Sequence, residues 1–324
     1  MREDLLTKGF IDEKIPIGIN LLDEIKKLCK EKNAIIMAHY YQPNEIQDIA
    51  DFIGDSLALA QQATKTNADI IILCGVHFMG ETAKILSPQK KVLVPDLKAG
   101  CSLADSCPAN EFEKFIQKYP DYTVISYVNT TAAVKALTDV CVTSTNAKKI
   151  IDQFPNDAKL IFGPDKNLGD YINSTTGKKM VLWDGACHVH EQFSLEKIIE
   201  LKKQYPNALL LAHPECKKPI LLLADFIGST QALLNFATET DKTQFIIATE
   251  SGIIHEMRKK NPAKEFIPAP PLDSTCACNE CNFMRLNTME KLYNCLKFEL
   301  PEILIEEGLR KKAEKSILRM LDMS

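Results

Sequence analysis

Cysteine is the residue type with the most chemistry to offer in this chain: there are eleven among 324 residues. Three places stand out. Cys101 ends the segment PDLKAGC, Cys187 ends WDGAC, and Cys276, Cys278 and Cys281 fall within PPLDSTCACNEC. Each place follows a short apolar run that reads as a strand, and in parallel α/β sheets ligands gather beyond the carboxyl ends of the strands. One thiolate from each of three equivalent places, with a fourth position open, suits a [4Fe–4S] cluster that keeps one iron for substrate. Taken singly, a cysteine after a strand is more often a core residue than a ligand. Position in a repeat, not the number of cysteines, selects these three. Cys29 and Cys295 lie on apolar faces of predicted helices, and Cys74 and Cys141 lie in or beside apolar runs. Those four read as packing.

Local spacing leaves other chemistry open. Cys278-x-x-Cys281 alone could be a redox pair or half a zinc site, and Cys187-His188-x-His190 could contribute to zinc. No second pair at structural-zinc spacing occurs, which argues against a zinc ribbon. A zinc hydrolase built from Cys187, His190 and a cysteine of 276–281 is the rival enzyme reading; a non-catalytic iron–sulfur scaffold is the other.

The remaining polar candidates also come in threes. The first predicted strand of each repeat ends in His39-Tyr40-Tyr41, Tyr127-Val128-Asn129 or His213-Pro214-Glu215. Glu215 is the only carboxylate among them. Partial desolvation is expected to raise its pKa, making it a general acid or base. Ser56, Ser144 and Thr230 each open a predicted helix, where a hydroxyl can cap the helix and also favour an anion. Three such hydroxyls around one axis would suit a small dicarboxylate or phosphate. Neither GxGxxG after a strand nor GxxxxGK[ST] is present, so a nucleotide cradle is unsupported.

The elements that position these residues follow from an internal repeat. Residues 38–63 and 212–237 share Ala-His, ten intervening residues, Ala-Asp-Phe-Ile-Gly, a hydroxyl residue and an apolar helical pattern. Residues 126–147 are a weaker copy, with Asp139 and Ser144 at the offsets of Asp51 and Ser56. Upstream of each copy lie an amphipathic helix, a tight turn and a buried strand; downstream lie two more apolar runs, at 68–75 and 90–96, 158–164 and 178–184, and 243–249 and 264–270. Short continuous apolar strands alternating with helices predict parallel sheet covered on both faces. The fold expected is α/β: three αβα sandwich domains related by a pseudo-threefold axis around a central active site. Their expected limits are 1–106 with 285–324, 107–193 and 194–284. Each unit, about 86 residues, can hold a small core. Two final helices, from Asn287 to about Leu321 with a break at Pro301, are expected to pack back on the first.

Composition narrows the function classes. Forty-five per cent hydrophobic and 25% charged residues exclude a disordered chain. Thirty-nine basic residues against 43 acidic ones, with no single-sign tail, argue against nucleic acid or a membrane surface as partner. No run approaches the roughly eighteen apolar residues of a spanning helix. The charged start MREDLLTKGFIDEK is not a secretory signal, so a cytoplasmic location is expected, where eleven cysteines would not form a disulfide framework.

With these residues in place, the chain resembles the quinolinate synthase family, bacterial and archaeal enzymes of de novo pyridine-nucleotide (NAD) biosynthesis. The resemblance rests on MAHYYQ (37–42), DFIGDSLALA (51–60), CGVHFMGETAKIL (74–86), VPDLKAGCSLADSCP (94–108), SYVNTTAAVKA (126–136), WDGACHVH (183–190), AHPEC (212–216), IGST (227–230) and CNFMRLNTMEKL (281–292). It implies three αβα domains enclosing a [4Fe–4S] cluster, with Cys101, Cys187 and Cys281 as ligands. It implies condensation of iminoaspartate with dihydroxyacetone phosphate to quinolinate, phosphate and water. Substrate contacts would fall on His39, Ser56, Tyr127, Asn129, Ser144, His213, Glu215 and Thr230, with Tyr41 and His190 nearby. The catalytic residues would be Glu215, Tyr127, His213 and Tyr41, and the open iron would act as a Lewis acid. An enzyme that makes iminoaspartate is the expected functional partner. One departure stands out: where some members carry Cys-x-x-Cys-x-x-Cys, Thr275 replaces the first cysteine and Cys276 sits one residue later. That puts a regulatory disulfide at the outer position in doubt. The segment Gly75–Glu81 is a candidate for a closing loop.

Overall fold

The computed structural model describes residues 2–273 and 279–324. Three four-stranded sheets are present, and every pairing inside them is parallel. The first contains β1 (Ala34–His39), β2 (Phe52–Gly54), β3 (Ile70–Cys74) and β4 (Lys91–Leu93) in the order β2-β1-β3-β4. The second contains β5 (Thr123–Tyr127), β6 (Val140–Val142), β7 (Leu160–Gly163) and β8 (Val181–Leu182), ordered β6-β5-β7-β8. The third contains β9 (Leu209–Ala212), β10 (Phe226–Ile227), β11 (Gln244–Ala248) and β12 (Glu265–Pro268), ordered β10-β9-β11-β12. One strand order, used three times, is the structural counterpart of the sequence repeat.

The central strands are the apolar runs. β3 and β7 are buried throughout, and β5, β9 and β11 are buried over most of their length. This follows from helices on both faces, which leave no solvent side for polar residues. The short strands β2, β6 and β10 are additions to the three strands per repeat read from sequence. At two or three residues they have no periodicity to detect. What places them is an aspartate fifteen residues beyond a central-strand residue. The N–H groups of Asp51, Asp139 and Asp225 donate to the carbonyls of Ile36, Val124 and Leu210 at 2.9, 2.9 and 2.8 Å. In return each carboxylate accepts the N–H of that same strand residue, at 2.8, 2.7 and 2.7 Å. The two-bond clamp gives the repeated aspartate its physical reason.

The chain forms two compact units. The first comprises Met1–Cys101, Thr131–Ala136 and Asn282–Glu314; the second comprises Ser102–Thr130, Leu137–Cys281 and Lys315–Ser324. In the first unit, Ile25, Ile36, Ile46, Ile72 and Leu93 form a buried core with Leu292, Cys295 and Leu296 from the helix Met289–Phe298. The second unit holds two sheets. The third sheet's core joins Phe193, Ile198, Leu210, Ile220 and Ile246. Among the described residues no helix is long and apolar enough to cross a membrane.

Candidate active site

The ends of the first strands carry the candidate histidines, and a local turn sets their tautomers. Tyr41 N–H donates to Nδ1 of His39 at 3.2 Å, and Glu215 N–H donates to Nδ1 of His213 at 3.4 Å. A ring nitrogen that accepts a hydrogen bond carries no proton, so in the neutral ring the proton sits on Nε2. Both histidines are buried, and the His39 and Tyr41 rings meet edge to face at 4.4 Å. Tyr127 holds the corresponding place at the end of β5.

In the second unit these strand ends assemble a buried polar cluster. Tyr127 Oη donates to Glu215 Oε1 at 2.7 Å, and His213 Nδ1 lies 3.6 Å from the same oxygen. His190 Nδ1 is 3.1 Å from Glu215 Oε2, while its Nε2 is 3.0 Å from Thr249 Oγ1. The two imidazoles stack with centroids 4.9 Å apart. Tyr127, His190, His213 and Glu215 are all 4% exposed or less, so their electrostatics are those of a low-dielectric interior.

The expected rise in the Glu215 pKa does not occur. Burial pushes the carboxyl up, but His190 and His213 beside it, with the Tyr127 hydroxyl, outweigh that and hold it at about 2. Glu215 is therefore a carboxylate at neutral pH, a proton acceptor at rest. The His213 pKa falls as well: burial lowers it to about 3, so it is a neutral Nε2–H donor. Asn129 adds an acceptor, since its Oδ1 is buried with no hydrogen-bond partner among the described residues. An acceptor in that condition is open to a donor carried by a ligand.

The three thiol positions share one backbone anchor. His77, Lys166 and Ser251 each lie three residues past the end of β3, β7 and β11. Their N–H groups donate to the carbonyls of Ala99, Gly185 and Asn279 at 2.7, 2.8 and 3.1 Å. Each of those carbonyls lies two residues before a cysteine: Cys101, Cys187 and Cys281. Cys281, not Cys276 or Cys278, thus occupies the repeat-equivalent position; those two lie outside the described residues. All three thiols are half-buried. Cys187 Sγ lies within 4.8 Å of ligand atoms of His190 and Glu215, a group that could hold a metal ion. Both ring nitrogens of His190 already face Glu215 and Thr249. Thiolate donors are compatible with iron–sulfur as well as zinc chemistry.

The helix-terminal hydroxyls are placed differently from the sequence reading. The caps are the preceding residues: Asp55 accepts from Ala58 N–H, and Ser229 from Ala232 N–H. Ser56 and Thr230 are the first residues of their helices, one past the cap. Ser144 lies in the turn ahead of the helix Ala147–Ile151. The candidate closing segment Gly75–Glu81 is mostly helix, with Phe78, Met79 and Gly80 buried in His77–Leu86.

Sequence reasoning missed Asp165, Thr249 and Glu250, each one or two residues past the end of β7 or β11. Asp165 is fully buried; desolvation, and then Glu215, push its carboxyl well above the usual range. Its signal was a position in the repeat, but the residue there changes from Val76 to Asp165 to Glu250.

Comparison with known proteins identifies the family. Residues 23–322 match the family model described as NadA, quinolinate synthetase A protein. The chain is 58% identical over 309 residues to the quinolinate synthase of Thermosynechococcus vestitus, covering 95% of this chain and 97% of that protein. It is 56% identical to that of Chloroherpeton thalassium, covering 96% and 98%, and 58% identical to that of a Synechocystis species, covering 94% and 96%. The chain belongs to the quinolinate synthase family of enzymes.

Proposed function

We propose that this chain condenses iminoaspartate with dihydroxyacetone phosphate to give quinolinate, phosphate and two waters. The sum is redox-neutral, so the work is enolisation, imine formation and elimination. The observation that carries the reading is the buried contact of Tyr127 and His213 with the Glu215 carboxylate. A [4Fe–4S] cluster held by Cys101, Cys187 and Cys281 would supply Lewis-acid iron for a substrate carboxylate or hydroxyl.

The protein's own residues have distinct tasks. Glu215, ionised by its neighbours, accepts a proton from substrate carbon or nitrogen. Tyr127 returns a proton through the hydroxyl that rests on Glu215 at 2.7 Å. His213 offers Nε2–H to orient a carbonyl or hydroxyl, and His39, with the same turn, offers the like group. Asn129 presents its buried Oδ1, and Ser56, Ser144 and Thr230 bind carboxylate and phosphate oxygens. Tyr41, against His39, borders the substrate. Exclusion of bulk water by the buried Tyr127, His213 and Glu215 protects the imine from hydrolysis. A cytoplasmic setting and an enzyme that makes iminoaspartate as functional partner complete the reading, with 1–106 plus 285–324, 107–193 and 194–284 as the three domains.

Anaerobic purification with iron and sulfide analysis, followed by an assay of quinolinate formation, tests the whole. About four irons and four sulfides and a Glu215→Gln protein that keeps them but loses at least ~100-fold in turnover are expected. Full activity in Glu215→Gln would overturn the assignment. The grouping of Cys187, His190 and Glu215 within 4.8 Å favours a second reading, a zinc hydrolase. A colourless protein with zinc and no sulfide after reconstitution would select it.

A further inference from the structure

We propose that Asp165 and Glu250 are positioning residues that hold the backbone of the thiol ligands Cys187 and Cys281. The inference rests on the reading of those cysteines as ligands. Each acid is the second residue past a central strand, β7 ending at Gly163 and β11 at Ala248. Each is at most 1% exposed. Each divides its two oxygens in the same way. One oxygen stays local: Asp165 Oδ1 accepts Leu168 N–H at 2.8 Å, and Glu250 Oε2 accepts Gly252 N–H at 2.7 Å. The other reaches a distant cysteine backbone: Asp165 Oδ2 accepts Cys187 N–H at 3.3 Å, and Glu250 Oε1 accepts Cys281 N–H at 3.1 Å.

Helix capping explains only the local bond of Asp165, ahead of the helix Lys166–Thr176. A cap needs one oxygen, and Ser229 or Ser194 supplies it elsewhere with a hydroxyl. The second oxygen crosses 22 residues of sequence in one case and 31 in the other. A buried acidic side chain is costly and persists when its hydrogen bonds are needed. Here the bond fixes the peptide plane on the amino side of the cysteine, and so narrows the directions Sγ can take. With the carbonyl anchors at Gly185 and Asn279, the chain before each thiol is held at two points. The first repeat has Val76 at this position, and Asp96 instead braces its loop by accepting Lys98 N–H at 2.8 Å. Partners that orient ligands in this way commonly govern metal affinity about 10–100-fold.

The test compares anaerobically reconstituted wild type with Asp165→Asn, Asp165→Ala, Glu250→Gln and Glu250→Ala. The measurements are the rate of iron release to a ferrous chelator, the EPR spectrum of the reduced cluster and thermal melting of the apo chains. The amide variants keep one acceptor oxygen and serve where alanine does not fold. Release about tenfold faster or more in the alanine variants, with an altered EPR spectrum, is expected. Ser194→Ala, which removes the cap of the helix Leu195–Gln204 without touching a cysteine, should lower melting and leave release unchanged. Release and spectra like wild type in the acid variants, or release that merely follows melting and rises in Ser194→Ala too, overturns the inference alone. A wild-type chain that takes up no cluster overturns the ligand reading and this inference with it.

Discussion

Cys74 and Cys295 sit inside the first unit's core, whereas Cys187 and Cys281 sit on turns beyond strand ends in the second unit. All are thiols, yet their surroundings give them opposite prospects. Burial pushes the thiols of Cys74 and Cys295 far above the usual range, with Cys29 and Cys74 respectively adding to it. Burial alone raises Cys107 to about 12. A thiol that does not ionise is neither nucleophile nor ligand, so these are packing groups. The strand-end thiols remain half-buried, on backbone anchored by long-range hydrogen bonds. A fold that needs reactive cysteines must deliver them on turns just outside the dense sheet core, and then brace the turns.

The most severe way to test that contrast is to exchange truncations. Cys187→Ala and Cys281→Ala are expected to abolish cluster retention and turnover, whereas Cys74→Ala and Cys295→Ala should keep iron and lose roughly 1–3 kcal/mol of stability from a small cavity. Iron analysis beside a denaturant melt reads both. Iron loss in Cys295→Ala without a change in stability would break the division. A smaller effect is expected at Tyr127. Tyr127→Phe keeps the ring and removes the donor to Glu215, so turnover should fall about 10–100-fold with cluster content unchanged. Stability should shift by only about 1 kcal/mol, because Glu215 retains its other contacts.

Much of this contrast was legible in the sequence, and the limits of legibility have physical causes. The apolar runs marked nine strands because buried parallel strands are continuously apolar, and His39, Tyr127 and His213 were aligned by their offsets from Asp51, Asp139 and Asp225. Strands β2, β6 and β10 were not, since a strand of two or three residues is defined by its partner and the aspartate clamp. The caps went one residue astray because Asp55-Ser56 and Ser229-Thr230 each offer two capping residue types in a row. The Glu215 pKa was misjudged because desolvation is suggested by neighbouring sequence, while the two imidazoles and the phenol that outweigh it come from distant segments. Asp165 and Glu250 were invisible for the same reason: their partners Cys187 and Cys281 lie across the sheet topology, not along the chain.

Acid titration offers a gentler discrimination, since core thiols are neutral throughout that range and the strand-end cluster is not. His213 is held at about 3 when folded, against about 6.5 for an unperturbed histidine. Between those values the unfolded chain binds the extra proton, so stability falls as pH drops below about 6.5 and goes on falling to about 3. Glu215 acts in the same direction over a lower window. Its folded value near 2 lies below the unperturbed carboxyl, about 4.3, so its contribution is present above that range and is lost toward pH 2. The groups facing His213 are Glu215 and His190, with Tyr127 on the far side of the carboxylate. Denaturant unfolding of the apo chain at pH 6.5 and pH 5 should show a loss on the order of 2 kcal/mol from His213. In His213→Asn that loss should largely vanish while the steeper fall below pH 4 remains, because the carboxylate is still present. An acid limb identical to wild type in His213→Asn would place the titrating proton elsewhere and remove the basis for treating His213 as a neutral donor.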